Sequence, residues 1–262
     1  MVNNLAIMYS GGLDSLIMYN YAKAQGIYDN ITCVHVQFGQ QYSQKEHDSI
    51  SRIGPWYPKV EVINIDGLMP LIARRLTNQI IPSRNVLLSV IGSMIADTVW
   101  LGILDGEQLG KEHDKSDQFI RDTQALLSFT NEFFQKRTLV QAPFRNLSKS
   151  DTIAWALAYG IPLDVLYSTT SCYHPTELKC GECLTCVKRA MAFATNKIIE
   201  PGYEKNPFES NYLKELDQEI TLAASNGDRT RFTDNRIMDF FKFKNAYQMM
   251  GVAAPLSNVS SL

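Results

Sequence analysis

The sequence has no excess of charge of either sign. Its 25 basic and 27 acidic residues leave a formal net charge of -2, so no overall field draws the chain toward nucleic acid or anionic lipid. No apolar run reaches the ~18 residues of a membrane span, and the N-terminus shows no charged segment leading into an apolar core and cleavage site. These absences set the expectation of a soluble, cytoplasmic protein. Cysteine is scarce outside one place: of five, four (Cys172, Cys180, Cys183, Cys186) fall within "CYHPTELKCGECLTC". That clustering argues against a disulfide framework and for metal in a reducing compartment. Internal repeats and low-complexity segments are also missing. A hydrophobic content of 45% over 262 residues can build a sizeable core without staples.

Short apolar or β-branched runs are present at Leu5 to Ser10, Ile31 to Phe38, Lys59 to Ile65, Thr98 to Leu104 and Thr138 to Phe144. They read as five buried strands. Helical patterns lie between them: "DSLIMYNYAKAQG", "VLLSVIGSMIADT" after Asn85, and "FIRDTQALLSFTNEFF" from Phe119. Strand alternating with helix gives an α/β fold with a parallel five-stranded sheet and helices on both faces. "SKSDTIAWALAYGIP" is a further helix, capped by Ser148 or Ser150 and ended by Gly160 and Pro162. Periodicity fails after Pro162, so three segments are expected: 1–165 as the α/β domain, 166–206 around the cysteines, and 207–262 as a helical extension. "PLSNVSSL" reads as a frayed terminus.

The first strand runs straight into "SGGLDS". Gly11 and Gly12 permit a sharp turn into a helix and keep side chains away from a ligand there. Amide hydrogens at the helix start form an anion site, to which Ser10 and Ser15 add hydroxyls. A polyphosphate fits that chemistry. Asp14 is out of place beside phosphates unless it caps the helix or a magnesium ion lies between. No lysine follows the glycines, which excludes the G-x-x-x-x-G-K-[ST] phosphate loop. In "IPSRN", Arg84 can meet a phosphate or carboxylate with its planar fork, while Pro82 stiffens the approach and Asn85 caps the next helix. The plainer reading of Arg84 is a surface arginine beside a cap.

The C-x7-C-x2-C-x2-C spacing, with Gly181 allowing the chain to curl, suits a closed tetrahedral zinc site. An iron-sulfur cluster is the rival, since tight C-x2-C runs also serve that ligation. His174 could replace one cysteine or lie at the surface. Cys33, within "ITCVHV", reads as a core cysteine.

"SGGLDS" resembles the SGGxDS motif of the PP-loop, or N-type, ATP pyrophosphatases. That resemblance implies an adenine nucleotide α-hydrolase-like, Rossmann-like fold and attack of a substrate oxygen on the α-phosphorus of ATP. The ordered set "SGGLDS", "FGQ", "IPSRN", "APF" followed by "KSD", and "TTSCY" leading to "CGECLTC" with Arg189 close behind is similar to the 7-cyano-7-deazaguanine synthase family, over roughly residues 4 to 205. The family's chemistry implies ATP, magnesium and zinc, with 7-carboxy-7-deazaguanine and ammonia becoming the nitrile base of queuosine synthesis. No glutaminase segment is visible, so free ammonium is the expected nitrogen donor. The resemblance assigns Ser10, Gly11, Gly12, Asp14 and Ser15 to the pyrophosphate and its magnesium. Lys149, otherwise an ordinary solvated lysine, is placed to reach the same phosphates. Arg84, Asn85, Asp114 and Asp117 are then candidates for substrate binding, and a homodimer is expected.

The chain departs from the family in three places along the matched order, and its segment after Pro207 is longer than the family leads one to expect. Ser83 stands where PGRN has glycine, which removes freedom in φ. Gln37 stands where an aspartate precedes the tyrosine-glycine-glutamine segment. "DGEQLGKEHDKSDQF" replaces an SGYPDCR-like substrate segment, leaving Asp114 and Asp117 but no clear arginine, so a related deazapurine, or a different acid or amide altogether, is also a candidate substrate. Two other functions compete: another PP-loop adenylating enzyme such as a tRNA-thiolation enzyme, and a non-catalytic nucleotide- or zinc-binding module. "FFKFKNAY" can be read as a nucleic-acid contact or, better, as aromatics packed on the body or a second subunit. Direct binding of nucleic acid is not expected.

Overall fold

A computed structural model describes residues 2–39, 43–65, 67–73, 81, 83–105, 114–134, 137–172, 174 and 178–251. Pro82, Gln40 of the "FGQ" segment, the stretch 106–113 and the terminal "PLSNVSSL" lie outside the described residues. The chain forms two compact units, 1–146 with 168–170 and 147–167 with 171–262.

The first unit holds β1 (Asn4–Met8), α1 (Leu13–Gln25), β2 (Asn30–Gln37), α2 (Ser43–Ile50), β3 (Val60–Asn64), α3 (Leu68–Ile72), α4 (Arg84–Ile95), β4 (Thr98–Trp100), α5 (Asp117–Thr130) and β5 (Leu139–Gln141). Each of the five apolar runs overlaps a strand. All pair in parallel in the order β3-β2-β1-β4-β5. Leu5, Ala6 and Ile7 in succession are fully buried, as a central parallel strand requires when helices cover both faces. β3 is an edge and has no buried residue, with Glu61, Val62 and Asn64 exposed. At Gly92 the helix presses so closely on the sheet that an added Cβ would lie 2.6 Å from Val99 Cγ1. The order of connection reverses between β1 and β4, which places a crevice at the carboxyl ends of those two strands. The expected α/β class is the one observed.

The second unit is helical: α6 (Lys149–Ala158), α7 (Leu163–Tyr167), α8 (Leu184–Thr195), α9 (Asn211–Asn226) and α10 (Asp234–Met249). Ala190, Ala194, Leu213, Leu216, Ile220, Phe240, Phe243 and Tyr247 are buried together, so the aromatics of "FFKFKNAY" at 240, 243 and 247 are core. Lys244 is buried with them and bonds Asp217 at 2.8 Å. Helix α6, grouped with the first segment when read from sequence, packs here against α8. A fall in periodicity marks where helices stop, not which elements share a core.

Candidate active site and metal centre

The strand β1 delivers its chain into the turn at its carboxyl end. Gly11 takes φ 75°, where a Cβ would lie 2.9 Å from that of Ser49. Ser49 of α2 donates to the Gly11 carbonyl at 2.6 Å and fixes the turn from the other side. Gly12 is the N-cap of α1, with no side-chain cap. Asp14 is therefore the second helical residue and half-buried, so it is not the N-cap that the plainer reading allowed. Ser10 is exposed, while Ser15 is buried and donates to the Gly12 carbonyl at 2.8 Å. The Gly12 N–H points at Ser10 Oγ, 3.4 Å away. The result is the start of a thirteen-residue helix that no side chain caps, with the acidic group and the exposed hydroxyl beside it, an arrangement that attracts an anion and can share a cation with it.

An open hollow of about 620 Å³, lined by Gly39, Gly67, Met69, Pro70 and Ala73, follows the carboxyl ends of β2 and β3. His35 of β2 was not singled out from sequence, where a lone histidine in a strand looks like core. It is buried, with Nδ1 3.1 Å from the Tyr9 carbonyl and Nε2 3.9 Å from Glu46 Oε2. A carbonyl only accepts, so Nδ1 carries the hydrogen. Burial lowers the His35 pKa against the opposing pull of the Tyr9 bond.

The candidate substrate residues fall into two linked pairs. Asn85 does not cap α4. The helix begins at Arg84, with Ser83, two positions before Asn85, at the N-cap in the left-handed region (φ 57°). Asn85 is thereby drawn into the first turn and buried, and its Nδ2 donates to the Asp114 carbonyl at 3.1 Å. This bond ties the segment after β4 to the turn bearing Arg84, which is half-buried. Asp117 opens α5, where Ser116 caps the helix by accepting from Phe119 N. The Asp117 carboxylate pairs with Arg145, which follows β5. Arg145 was missed because it is distant in sequence from the loop it serves.

Lys149 begins α6 in the second unit and is half-buried. Ser148 caps that helix in a reciprocal capping box with Asp151. Ser148 and Ser150 both donate to Asp239 of α10.

The cysteines converge. The sulfur atoms of Cys172, Cys180, Cys183 and Cys186 all lie within 4.8 Å of one another, and three of the four residues are buried. Amide hydrogens of Cys180 and Cys183 point at the sulfurs of Cys172 and Cys180. Gly181 sits at φ 82°, where a Cβ would be 1.9 Å from the Lys205 carbonyl oxygen, so no other residue closes this loop. Burial pushes the Cys180 thiol up, donation to Cys172 and Cys183 pushes Cys186 up, and bonds accepted from Cys172 and Cys186 hold Cys183 well below the ordinary thiol range. The group therefore resists full ionisation unless a cation sits among the sulfurs. The set can hold a metal ion. His174 is exposed and outside it. Cys33 is buried in the sheet and its thiol is pushed up by burial, as a core cysteine.

Fold and site together define an α/β protein with a glycine turn and open helix start at the sheet's crevice and a four-cysteine centre in its helical part. A family model described as "Queuosine biosynthesis protein QueC" matches residues 61–197, and the chain belongs to that family. The matched segment takes in Arg84, Asp114, Lys149 and the cysteines, and begins after the glycine turn. Relatives named 7-cyano-7-deazaguanine synthase agree. The protein from Marinobacter nauticus is 25% identical over 228 residues, covering 78% of this chain and 99% of the relative. That from Methanosarcina mazei is 26% identical over 210 residues, covering 74% and 88%. The chain spans about half of a longer relative, 7-cyano-7-deazaguanine synthase 2 of Sulfurisphaera tokodaii, with 26% identity over 231 residues and coverage of 78% and 48%. Among solved structures, the NH3-dependent NAD synthetase of Campylobacter jejuni superposes over 100% of this chain and 91% of its own at 12% identity, with a TM-score of 0.40, a likeness too distant to inform the site. Among the described residues, no helix is long and apolar enough to cross a membrane.

Proposed function

We propose that the chain is an ATP-dependent carbon-nitrogen ligase that converts 7-carboxy-7-deazaguanine and ammonia to 7-cyano-7-deazaguanine through adenylated intermediates. The observation that carries this reading is the capless helix start at Gly12, with Asp14 and Ser10 beside it, in a chain whose relatives are named for that synthase. A carboxylate is a poor electrophile. Its oxygen attacks the α-phosphorus of ATP and pyrophosphate leaves. Ammonia then adds to the acyl carbon, AMP departs, and an amide remains. The amide oxygen is adenylated by a second ATP, and loss of AMP and a proton gives the nitrile.

Ser10, Gly11, Gly12 and Ser15 hold the pyrophosphate end through amides and hydroxyls, offsetting charge that grows on the leaving group. Asp14 is the carboxylate that would hold Mg2+ against those phosphates, where the ion neutralises developing charge. The family resemblance alone gives Lys149 a part in the same step. Arg84 takes the acid group of the base, while Asn85, Asp114 and Asp117 form its polar edge. Zn2+ fits the four sulfurs as a closed structural ion, which leaves no open position for chemistry. The enzyme works in the cytoplasm as a homodimer on the free base, not on nucleic acid.

Asp14→Asn should lower magnesium-dependent pyrophosphate release by on the order of 100-fold while zinc content and melting temperature stay unchanged. Turnover within twofold of the parent would remove Asp14 from the site.

A further inference from the structure

We infer that Glu200 is the positioning residue of the four-cysteine centre, a single buried carboxylate on which the segments carrying Cys172, Cys180 and Cys186 converge. The inference rests on reading that centre as a zinc site. The side chain of Glu200 has 0% exposure, and a carboxylate so buried is tolerated only when its oxygens are paired and hydrogen-bonded. They are. Arg189 Nε donates to both oxygens at 2.9 Å, and Arg189 Nη2 to Oε1 at 2.7 Å. Lys179 Nζ lies 3.1 Å from Oε1, and the Tyr203 hydroxyl donates to Oε2.

Each of those donors is attached to the metal site. Arg189 stands three residues beyond Cys186 on α8, so the two share a helix face. Its remaining donors reach Ser171 Oγ at 3.1 Å and the Leu166 carbonyl at 2.7 Å, and Ser171 is the neighbour of Cys172. Lys179 is the neighbour of Cys180. Its backbone pairs with the 202–204 segment through Lys179 N to Gly202 O at 3.1 Å and Glu204 N to Lys179 O at 2.8 Å. Tyr203 packs its ring against the cysteines, with Lys179 Nζ 5.1 Å above it. Glu200 thus fixes the spacing of three ligand-bearing segments before any ion arrives. It also anchors two cations beside thiolates whose negative charge a divalent ion only partly cancels.

Partners of this kind orient metal ligands, and their loss typically weakens metal binding by roughly 10- to 100-fold. The test is metal titration of reduced, metal-free full-length protein, with zinc in competition with a chromophoric chelator and with cobalt followed by its thiolate charge-transfer bands. Glu200→Gln keeps the size and one acceptor but removes the charge. It should bind zinc 10- to 100-fold more weakly and broaden the cobalt spectrum. Tyr203→Phe removes one donor to the same carboxylate and should weaken zinc by a smaller factor, which keeps the inference testable if Glu200→Gln does not fold. Zinc affinity unchanged in both variants, with only the melting temperature of the metal-free form lowered, would reduce Glu200 to a core ion pair and overturn the inference. Parent protein that took up no zinc, or bound iron and sulfide instead, would overturn the zinc reading and the inference with it.

Discussion

Ser83 is a residue in a conformation it does not favour. Its φ of 57° lies in the left-handed region, which costs an L-residue with a Cβ about 1–2 kcal/mol. Glycine would remove that strain and give back about 0.5–1 kcal/mol through the greater freedom of its unfolded chain. Ser83→Gly should therefore stabilise the fold by up to about 1 kcal/mol, read as a raised urea midpoint at constant slope. A lowered midpoint would mean that the hydroxyl earns its place through a contact. His35 gives a second prediction. Burial holds its folded pKa below the ordinary value of 6.5, so the unfolded chain takes up the proton first as pH falls. The stability linked to His35 is complete above about pH 6.5 and is lost below it, by at most about 1.4 kcal/mol per pH unit. His35→Asn keeps a donor for the Tyr9 carbonyl and should flatten the fall in stability between pH 7 and 5. An unchanged pH profile would show that the imidazole does not titrate between the two states.

At the scale of elements, α6 is held at its start by a residue from α10. Asp239 accepts from both Ser148 and Ser150, the residues flanking Lys149. Asp239→Ala strips the acceptor from two part-buried hydroxyls and should cost about 1–3 kcal/mol. Faster hydrogen exchange at the amides of Lys149, Ser150, Asp151 and Thr152 would locate the loss. Equal exchange in parent and variant would show that the capping box alone holds this helix start. Much at this scale was legible in the sequence. The five strands follow from apolar runs, and Ser148 announces the α6 cap through its local spacing. What could not be read is which helix a cap faces: Asp239 is 91 positions from Ser148, and no local pattern encodes that meeting. The start of α4 was misjudged for a related reason. Asn85 has the chemistry of a cap, but Ser83 turns the chain two positions sooner, and the amide then serves the Asp114 carbonyl instead.

For the whole molecule, the sequence makes the glycine turn and the cysteine cluster plain because each is local and chemically distinctive. The substrate region is less legible because its residues come from the ends of separate strands. Asp117 after β4 and Arg145 after β5 meet only in the folded sheet, and Glu200 meets its partners from α8 and from the cysteine loop. On the proposed function, this assembly makes a nitrile from an acid. The direct measurement is mass spectrometry of the base after incubation of the zinc-loaded protein with ATP, magnesium, ammonium and 7-carboxy-7-deazaguanine, with pyrophosphate counted alongside and the 7-amido base run in parallel. Both bases should give 7-cyano-7-deazaguanine, with twice as much pyrophosphate per nitrile from the acid as from the amide. Neither base consumed, under conditions where ATP is bound, would contradict it.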